Sequence, residues 1–463
     1  MSSRADALNT GLQMLDSNTE RPRYAPTSSR ERYAGIGAWL GLLALVLVTF
    51  FANVDRQMLV LLAELIRTEF GLADIQVGLL QGAGIALFAG AAAIPIGWLA
   101  DRVDRRAVLV LCILLWSAAT AACGFATGFW TLFIASIGLG IGEAGLMPII
   151  YGLLPDLFPA RQRILANSVF ALVNLLSAGA GMALGGLLIQ GIDTMHGVLP
   201  FGLGNASTWR IAFFAVAIPA PLLVLIVAMI RPRYAHSDTQ RSTGNVPVPG
   251  LAAGEYFRRE MPMMIRFFGA IALINMAFAG ITTWMPVVAV RFFGATPATA
   301  GAGLGSAAMT GSVFGCALGW LLARRLSSRL GVLAPLRVCE WGALGACVVS
   351  LGYLIAPSVS YVYVLFGAQF MCVVAGMIMF PGLMQSICPP YLRSRVAAIG
   401  VLTTVLMQSG SPVAIGLMSD HLHRTESGLI WAIVAVALPG FIVACLLMRG
   451  AANAVRLAIE RYA

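Results

Sequence analysis

Three charged side chains stand where charge is least expected. Asp55 and Arg56 are neighbours in the apolar run 36–63, and Glu143 lies in the apolar run 130–155. Ionisable groups inside hydrocarbon are costly and normally face a cavity or a partner, so each is a functional candidate. Burial and a neighbouring guanidinium pull a carboxyl group's proton affinity in opposite directions. That combination suits Asp55 and Glu143 to proton coupling, with Arg56 moving between a carboxylate and an anionic substrate. The plainer alternative is a static ion pair that pins the first apolar run to the fourth. None of the four histidines (His196, His236, His421, His423) lies in an apolar run, so a transported proton must ride on a carboxylate. Glu340 follows Arg337 by three residues and reads as an interfacial ion pair on one helix face.

Other motifs lead away from catalysis. Gly140-x-Gly142-x-x-Gly145 matches the dinucleotide fingerprint in letters, but that motif needs a preceding strand, and here it sits inside an apolar run where glycines let helices approach. His421-Leu422-His423 reads as a solvated loop. No Walker loop, H-E-x-x-H or Ser-His-Asp set is present, so neither hydrolysis nor ATP-driven pumping is supported, and no cofactor or metal is expected. The eight cysteines fall almost entirely in apolar runs without metal-ligand spacing.

The elements that position these groups must be membrane helices. The chain of 463 residues is 59% hydrophobic and 11% charged, far from the roughly one-quarter charged residues of a soluble domain. Its net charge of +10 comes from thirty arginines and no lysine, in short clusters between apolar runs, which does not make a nucleic-acid surface. About twenty apolar residues cross a bilayer. Twelve segments qualify: 36–63, 75–100, 107–127, 130–155, 164–191, 209–230, 264–290, 299–323, 335–356, 361–387, 396–419 and 428–448. With the N-terminus inside, 25 arginines fall on the cytoplasmic side and four (Arg67, Arg210, Arg291, Arg424) on the other, so both termini are expected in the cytoplasm of a bacterial inner membrane.

The longest hydrophilic interior segment lies at the midpoint. The expected organisation is a disordered cytoplasmic N-tail at 1–34, a six-helix bundle at 35–230, a cytoplasmic linker at 231–261, a second six-helix bundle at 262–449 and a cytoplasmic C-tail at 450–463. Two repeats support duplication. Gly97-Trp98-Leu99 with Arg102 ends the second segment and Gly319-Trp320-Leu321 with Arg324 ends the eighth. Pro159 with Arg161-Gln162-Arg163 precedes the fifth, as Pro390 with Arg393-Ser394-Arg395 precedes the eleventh.

These residues carry a resemblance. Gly97-Trp98-Leu99-Ala100-Asp101-Arg102-Val103-Asp104-Arg105-Arg106 resembles the loop signature of the major facilitator superfamily, over the whole chain after the N-tail. Within it, the sequence looks most like the bacterial spinster-like transporters: Asn53-Val54-Asp55-Arg56-Gln57, Gly140-Ile141-Gly142-Glu143-Ala144, Asp156-Leu157-Phe158-Pro159, Trp209-Arg210, Ser411-Pro412, Gly416 and Ser419-Asp420. Three positions depart from the pattern. Ser136 stands where the family has an Arg, Ala323-Arg324 replaces a second Asp-Arg, and the glycines 179, 181, 185 and 186 lack the Pro of drug antiporters.

The resemblance implies an all-α membrane protein of two pseudo-symmetric six-helix bundles that works by alternating access, with Asp55 and Glu143 implicated in transport. It also implies that Asp101, Arg102 and Arg106 latch the halves in the outward-open state. Polar and aromatic candidates for a central cavity are Asn53, Gln57, Gln81, Asn174, Asn275, Trp284, Gln369 and Gln385, each equally readable as hydrogen-bonded helix glue. With few charges and many apolar and Met side chains, the cavity suits an amphipathic organic anion or lysolipid. The expected partners are that small molecule, protons and the lipid bilayer, with the chain monomeric. Uptake of a small organic acid is the runner-up. A polytopic enzyme acting on lipids, or a membrane receptor, is the reading from a different class.

Overall fold

In the computed structural model residues 34–195, 206–230, 253–389, 392–422 and 427–462 are described. Among them there is no strand. The first half holds α1 (Ile36–Leu61), α2 (Ala63–Phe70), α3 (Asp74–Gln81), α4 (Ala83–Arg102), α5 (Arg105–Gly124), α6 (Phe129–Ala144), α7 (Leu146–Leu157), α8 (Ala160–Met195), α9 (Thr208–Ala217) and α10 (Ala220–Ala228). The second holds α11 (Ala253–Phe293), α12 (Pro297–Leu330), α13 (Ala334–Gly352), α14 (Val359–Met377), α15 (Phe380–Ser386), α16 (Arg393–His421) and α17 (Gly428–Tyr462).

Eleven stretches of the described residues are long and apolar enough to cross a membrane, and one of them, Pro297–Ile355, holds both α12 and α13. Twelve crossings result, as the hydropathy pattern predicts, and the chain is a multi-pass membrane protein. Several crossings are broken in the middle. α3 gives way to α4 at Gly82, and α6 to α7 at Gly145. Internal prolines such as Pro95, Pro155, Pro286 and Pro412 remain inside helices, a use of Pro that membrane helices tolerate. At the turns, Gly71 (φ 62°) and Gly294 (φ 65°) take the left-handed conformation that follows α2 and α11.

We call the side holding Ala34, Asp104 and Tyr462 the lower face, and the side holding Gly71 and Gly294 the upper face. The halves meet along two seams, α8 with α12 and α3–α4 with α16. Both seams are built on glycine. A Cβ on Gly305 would lie 2.4 Å from the Ala183 nitrogen, and one on Gly186 would lie 2.5 Å from the Ala298 carbonyl oxygen. On the other seam, a Cβ on Gly78 would meet the Pro412 carbonyl oxygen at 2.4 Å. These contacts lie in the upper part of the molecule. Toward the lower face, Trp98 on α4 and Trp320 on α12 are exposed by 55% and 58%.

The second half runs further than its composition suggests at the lower face. α11 already begins at Ala253, inside the expected linker, and α17 continues through the expected C-tail to Tyr462. The reason is an apolar stripe on each extension. Ala451, Ala452, Val455, Ala458 and Ile459 are buried along α17, and Tyr256 is fully buried on α11, its hydroxyl donating to the Ile387 carbonyl at 3.1 Å. Arg461 pairs with Glu260 across the two extensions. The N-tail at 1–33 and linker residues 231–252 lie outside the described residues.

Candidate functional site

Adjacent residues on a helix point about 100° apart, and that angle separates Asp55 from Arg56. Asp55 turns to α5, where it is fully buried and bonded to the Thr120 hydroxyl. Its second oxygen, Oδ1, is buried without a partner. Arg56 turns to α6 and holds Glu143. Arg56 Nε is 3.0 Å from Glu143 Oε2, and a terminal guanidinium nitrogen bonds the same oxygen. Both bonds converge on one oxygen, so Glu143 Oε1 is left buried and unpartnered.

Exposure divides the pair. The Arg56 side chain is 65% exposed while that of Glu143 is 5% exposed. The guanidinium, deep in the first crossing, is thus exposed on one side and tied to a buried carboxylate on the other. Glycines place the three groups: a Cβ on Gly142 would lie 2.6 Å from the Trp116 nitrogen, and one on Gly181 would lie 3.0 Å from the Val54 nitrogen. Without side chains at those points, α6 closes on α5, and α8 on α1.

The polar candidates fall in different places. Asn53 Nδ2 donates to the Thr49 carbonyl and to Ser177 Oγ, both at 2.9 Å, and Ser177 in turn donates to the Asn174 carbonyl at 2.8 Å. Gln57 is half-buried. Gln81 Nε2 reaches the Leu59 carbonyl at 3.3 Å. Asn275 donates to the Ile271 carbonyl at 2.9 Å. Trp284 is fully buried, its indole N–H 3.2 Å from the Pro412 carbonyl. Gln369 is fully buried with both side-chain polar atoms unpartnered, and Gln385 is exposed near the lower end of α15.

At the lower face, the loop signature binds its own half. Asp104 caps α5 by accepting from the Arg106 backbone N–H at 2.9 Å, and Arg106 also donates to the Ile230 carbonyl at 2.6 Å. The Arg106 side chain holds the Asp104 carboxyl below the usual carboxylate range. Arg105 reaches Asp156 and the Gly152 carbonyl, each at 3.0 Å. Arg102 stacks on Trp98, 3.9 Å from the ring centroid. The Asp101 side chain lies outside the described residues. In the second half, Glu340 accepts from Arg337, as its spacing predicts, and also from Arg449.

Sequence reasoning missed a second charged cluster, at the upper end, where the halves meet. Arg291 of α11 donates to Asp74 Oδ1 at 2.8 Å and Oδ2 at 2.9 Å, and to Glu64 Oε2 at 2.8 Å. Glu64 is shared with Arg67 at 2.8 Å. Ser419 donates to Asp74 Oδ2 at 2.7 Å, and Asp420 accepts from the Asp74 and Ile75 backbone N–H groups at 2.9 Å each. Among the described residues, the hydrogen bonds and ion pairs joining the halves sit at this end. Arg291 and Arg67 read from sequence only as flanking charge. Arg67 has its partner Glu64 three residues away, but the partners of Arg291 lie 217 and 227 residues away along the chain, and no local spacing announces them.

Among the described residues, side-chain hydrogen bonds and ion pairs join the halves at the upper end, and a half-exposed charge, Arg56, lies within the first half. The Major Facilitator Superfamily profile matches residues 45–414. A Mycolicibacterium smegmatis "MFS-type efflux pump" is 26% identical over 416 residues, covering 86% of this chain and 88% of that one. The mouse "Sphingosine-1-phosphate transporter SPNS2" is 26% identical over 399 residues, covering 80% and 68%. A crystal structure of a bacterial homolog of the human lysosomal transporter Spinster, inward-facing and unoccupied, is 22% identical and superposes with a TM-score of 0.72 over 92% of this chain and 98% of that one. With its twelve crossings, its two glycine-seamed halves and a family match over most of its length, the chain is a transporter of the Major Facilitator Superfamily, related to the spinster proteins.

Proposed function

We propose that this transporter moves an amphipathic organic anion or lysolipid-like molecule by alternating access coupled to protons. The observation that carries the reading is the Arg56–Glu143 pair, exposed on the arginine side and buried on the other. A carboxylate or phosphate headgroup is chemically equivalent to Glu143 as a partner for Arg56. An anion that displaces Glu143 leaves a buried carboxylate without its counter-charge, a cost of several kcal/mol. Protonation of Glu143 removes that cost, so substrate and proton binding favour each other.

Asp55 supplies a second proton site. The Thr120 hydroxyl is bonded to Asp55 and is also 3.0 Å from the Trp116 carbonyl, but it has one proton. When that proton goes to Trp116, the Asp55 carboxyl completes the contact as the protonated acid. Of the remaining polar candidates, Asn53, Gln57, Gln81, Asn275 and Gln385, which keep exposed surface, are assigned to the walls of the path, the fully buried Trp284 and Gln369 to the packing behind those walls, and Asp101, Arg102 and Arg106 to the latch that closes the lower end. The arginine distribution supports a cytoplasmic lower face with both termini inside, and the unit is assigned as a monomer in a bacterial inner membrane.

The test is flux in proteoliposomes for a panel of lysolipids and organic acids, with and without an imposed pH gradient. A lysolipid or long-chain anion is expected to move in the direction of the proton gradient. Flux indifferent to the gradient would remove the coupling, and preference for short acids over amphipathic ones would remove the substrate class.

A further inference from the structure

The second crossing begins at α3 without a capping side chain of its own. Ala73 occupies the N-cap position in extended backbone (φ −73°, ψ 156°), where Ser, Asp or Asn would accept a bond from the first turn. A methyl group accepts nothing. The chain supplies part of the cap locally: the Gln76 N–H bonds the Ala73 carbonyl at 3.0 Å, and the Gln76 side chain accepts from the Ala73 N–H at 2.9 Å. The first two N–H groups of the helix, on Asp74 and Ile75, depend instead on Asp420 at the end of α16, one on each carboxylate oxygen. Gly416, one turn earlier on α16, makes the approach possible, because a Cβ there would lie 2.4 Å from the Asp74 carbonyl oxygen.

We propose that Asp420 is a positioning residue of the transport cycle: it caps the second crossing from the opposite half, so that α3 is fully capped only while the upper end is shut. Ala73 is the other part of the device, because it keeps α3 from capping itself. The inference rests on the alternating-access reading but not on the substrate or the proton. When the halves part at the top, Asp420 withdraws and the two N–H groups pass to water, and the carboxylate loses the favourable end of the helix dipole. A side-chain cap and its charge together shift a two-state balance by about tenfold. This contribution is separate from the Arg291 ion pairs, which hold side chains rather than the helix end.

The experiment measures the distance between the upper ends of the halves in the full-length chain in nanodiscs. Spin labels are placed at Thr127→Cys and Ser360→Cys, both exposed positions, after replacement of the native cysteines that react. Asp420→Ala is expected to raise the upper-open population about tenfold, and Ala73→Ser, which adds a neutral local cap, about threefold in the same direction. In the Ala73→Ser background Asp420→Ala is expected to add less than it does alone, because the helix no longer depends on the borrowed cap. Arg291→Gln is expected to act equally in both backgrounds. The proposal is overturned if Asp420→Ala leaves the distances unchanged, or if Ala73→Ser does, or if the two add in full. Should Asp420→Ala fail to fold, Ala73→Ser decides by itself, since it removes no contact. Failure of the substrate or proton assignment would appear in flux and leave these distances alone. Absence of an upper-open population in every variant, Arg291→Gln included, would count against alternating access itself.

Discussion

The two charged clusters of this protein use the same residue types to opposite ends. Asp55, Arg56 and Glu143 lie on α1 and α6, inside one half, so their pairing survives any movement of the halves against each other. Glu64 and Asp74 of the first half meet Arg291, Ser419 and Asp420 of the second, so those pairings exist only while the upper end is closed, whereas Arg67 holds Glu64 within α2. A cluster inside one rigid body is suited to hold a ligand or a proton through the cycle, whereas a cluster between two bodies is suited to decide which way the cycle points. Placement across or within a domain boundary, and not the chemistry of the charges, sets the difference.

The comparison is broken most severely at Arg56. Arg56→Leu leaves Glu143 buried without its counter-charge, and transport is expected to fall at least about a hundredfold, with the upper-end distances unchanged; a variant that transports normally would remove Arg56 from the site. Asp55→Asn and Glu143→Gln come next. Each should abolish the response to a pH gradient while substrate counterflow continues, because a group that cannot ionise holds no exchangeable proton; gradient-driven accumulation by either variant would assign coupling elsewhere. Arg291→Gln should show the reverse pattern, a shift of about tenfold toward upper-open molecules with substrate affinity retained. Equal loss of affinity in that variant would merge the two clusters into one site.

The smallest effect is expected at Glu69, on the upper face. Partial burial pushes its carboxyl up, but hydrogen bonds from Trp209, Ser207 and Arg210 outweigh that and hold it below the ordinary glutamate value. A lowered folded-state value favours the ionised native form, so this stabilisation is complete above about pH 4.3 and is lost as pH falls through the folded value. Glu69→Gln should therefore lower the melting temperature slightly at neutral pH and less on acidification; a gap that widens on acidification would contradict the assignment.

Much of this was legible in the sequence, for identifiable reasons. The crossings announce themselves because hydrocarbon demands about twenty apolar residues, and the Asp55, Arg56 and Glu143 trio because charge inside such a run is rare. Thr120 was not legible, since a threonine in a membrane helix is ordinary and its importance comes only from the Asp55 carboxylate of a neighbouring helix. The upper cluster was hidden by distance: Asp74 meets Asp420 346 residues away. The lower extensions of α11 and α17 were hidden by composition, because arginines such as Arg258, Arg259 and Arg456 make segments that are apolar on one side look like solvated tails.

The glycine seam between α8 and α12 has a mechanical consequence. Interlocked side chains must change rotamer before one helix can roll across another, and each such change is a barrier. Where Gly179 and Gly186 lie against Gly301 and Gly305, backbone rests on backbone, so the surface resembles a smooth bearing rather than a pair of gears. Speed of reorientation, as distinct from the balance between orientations, is then governed by residues that have no side chain at all.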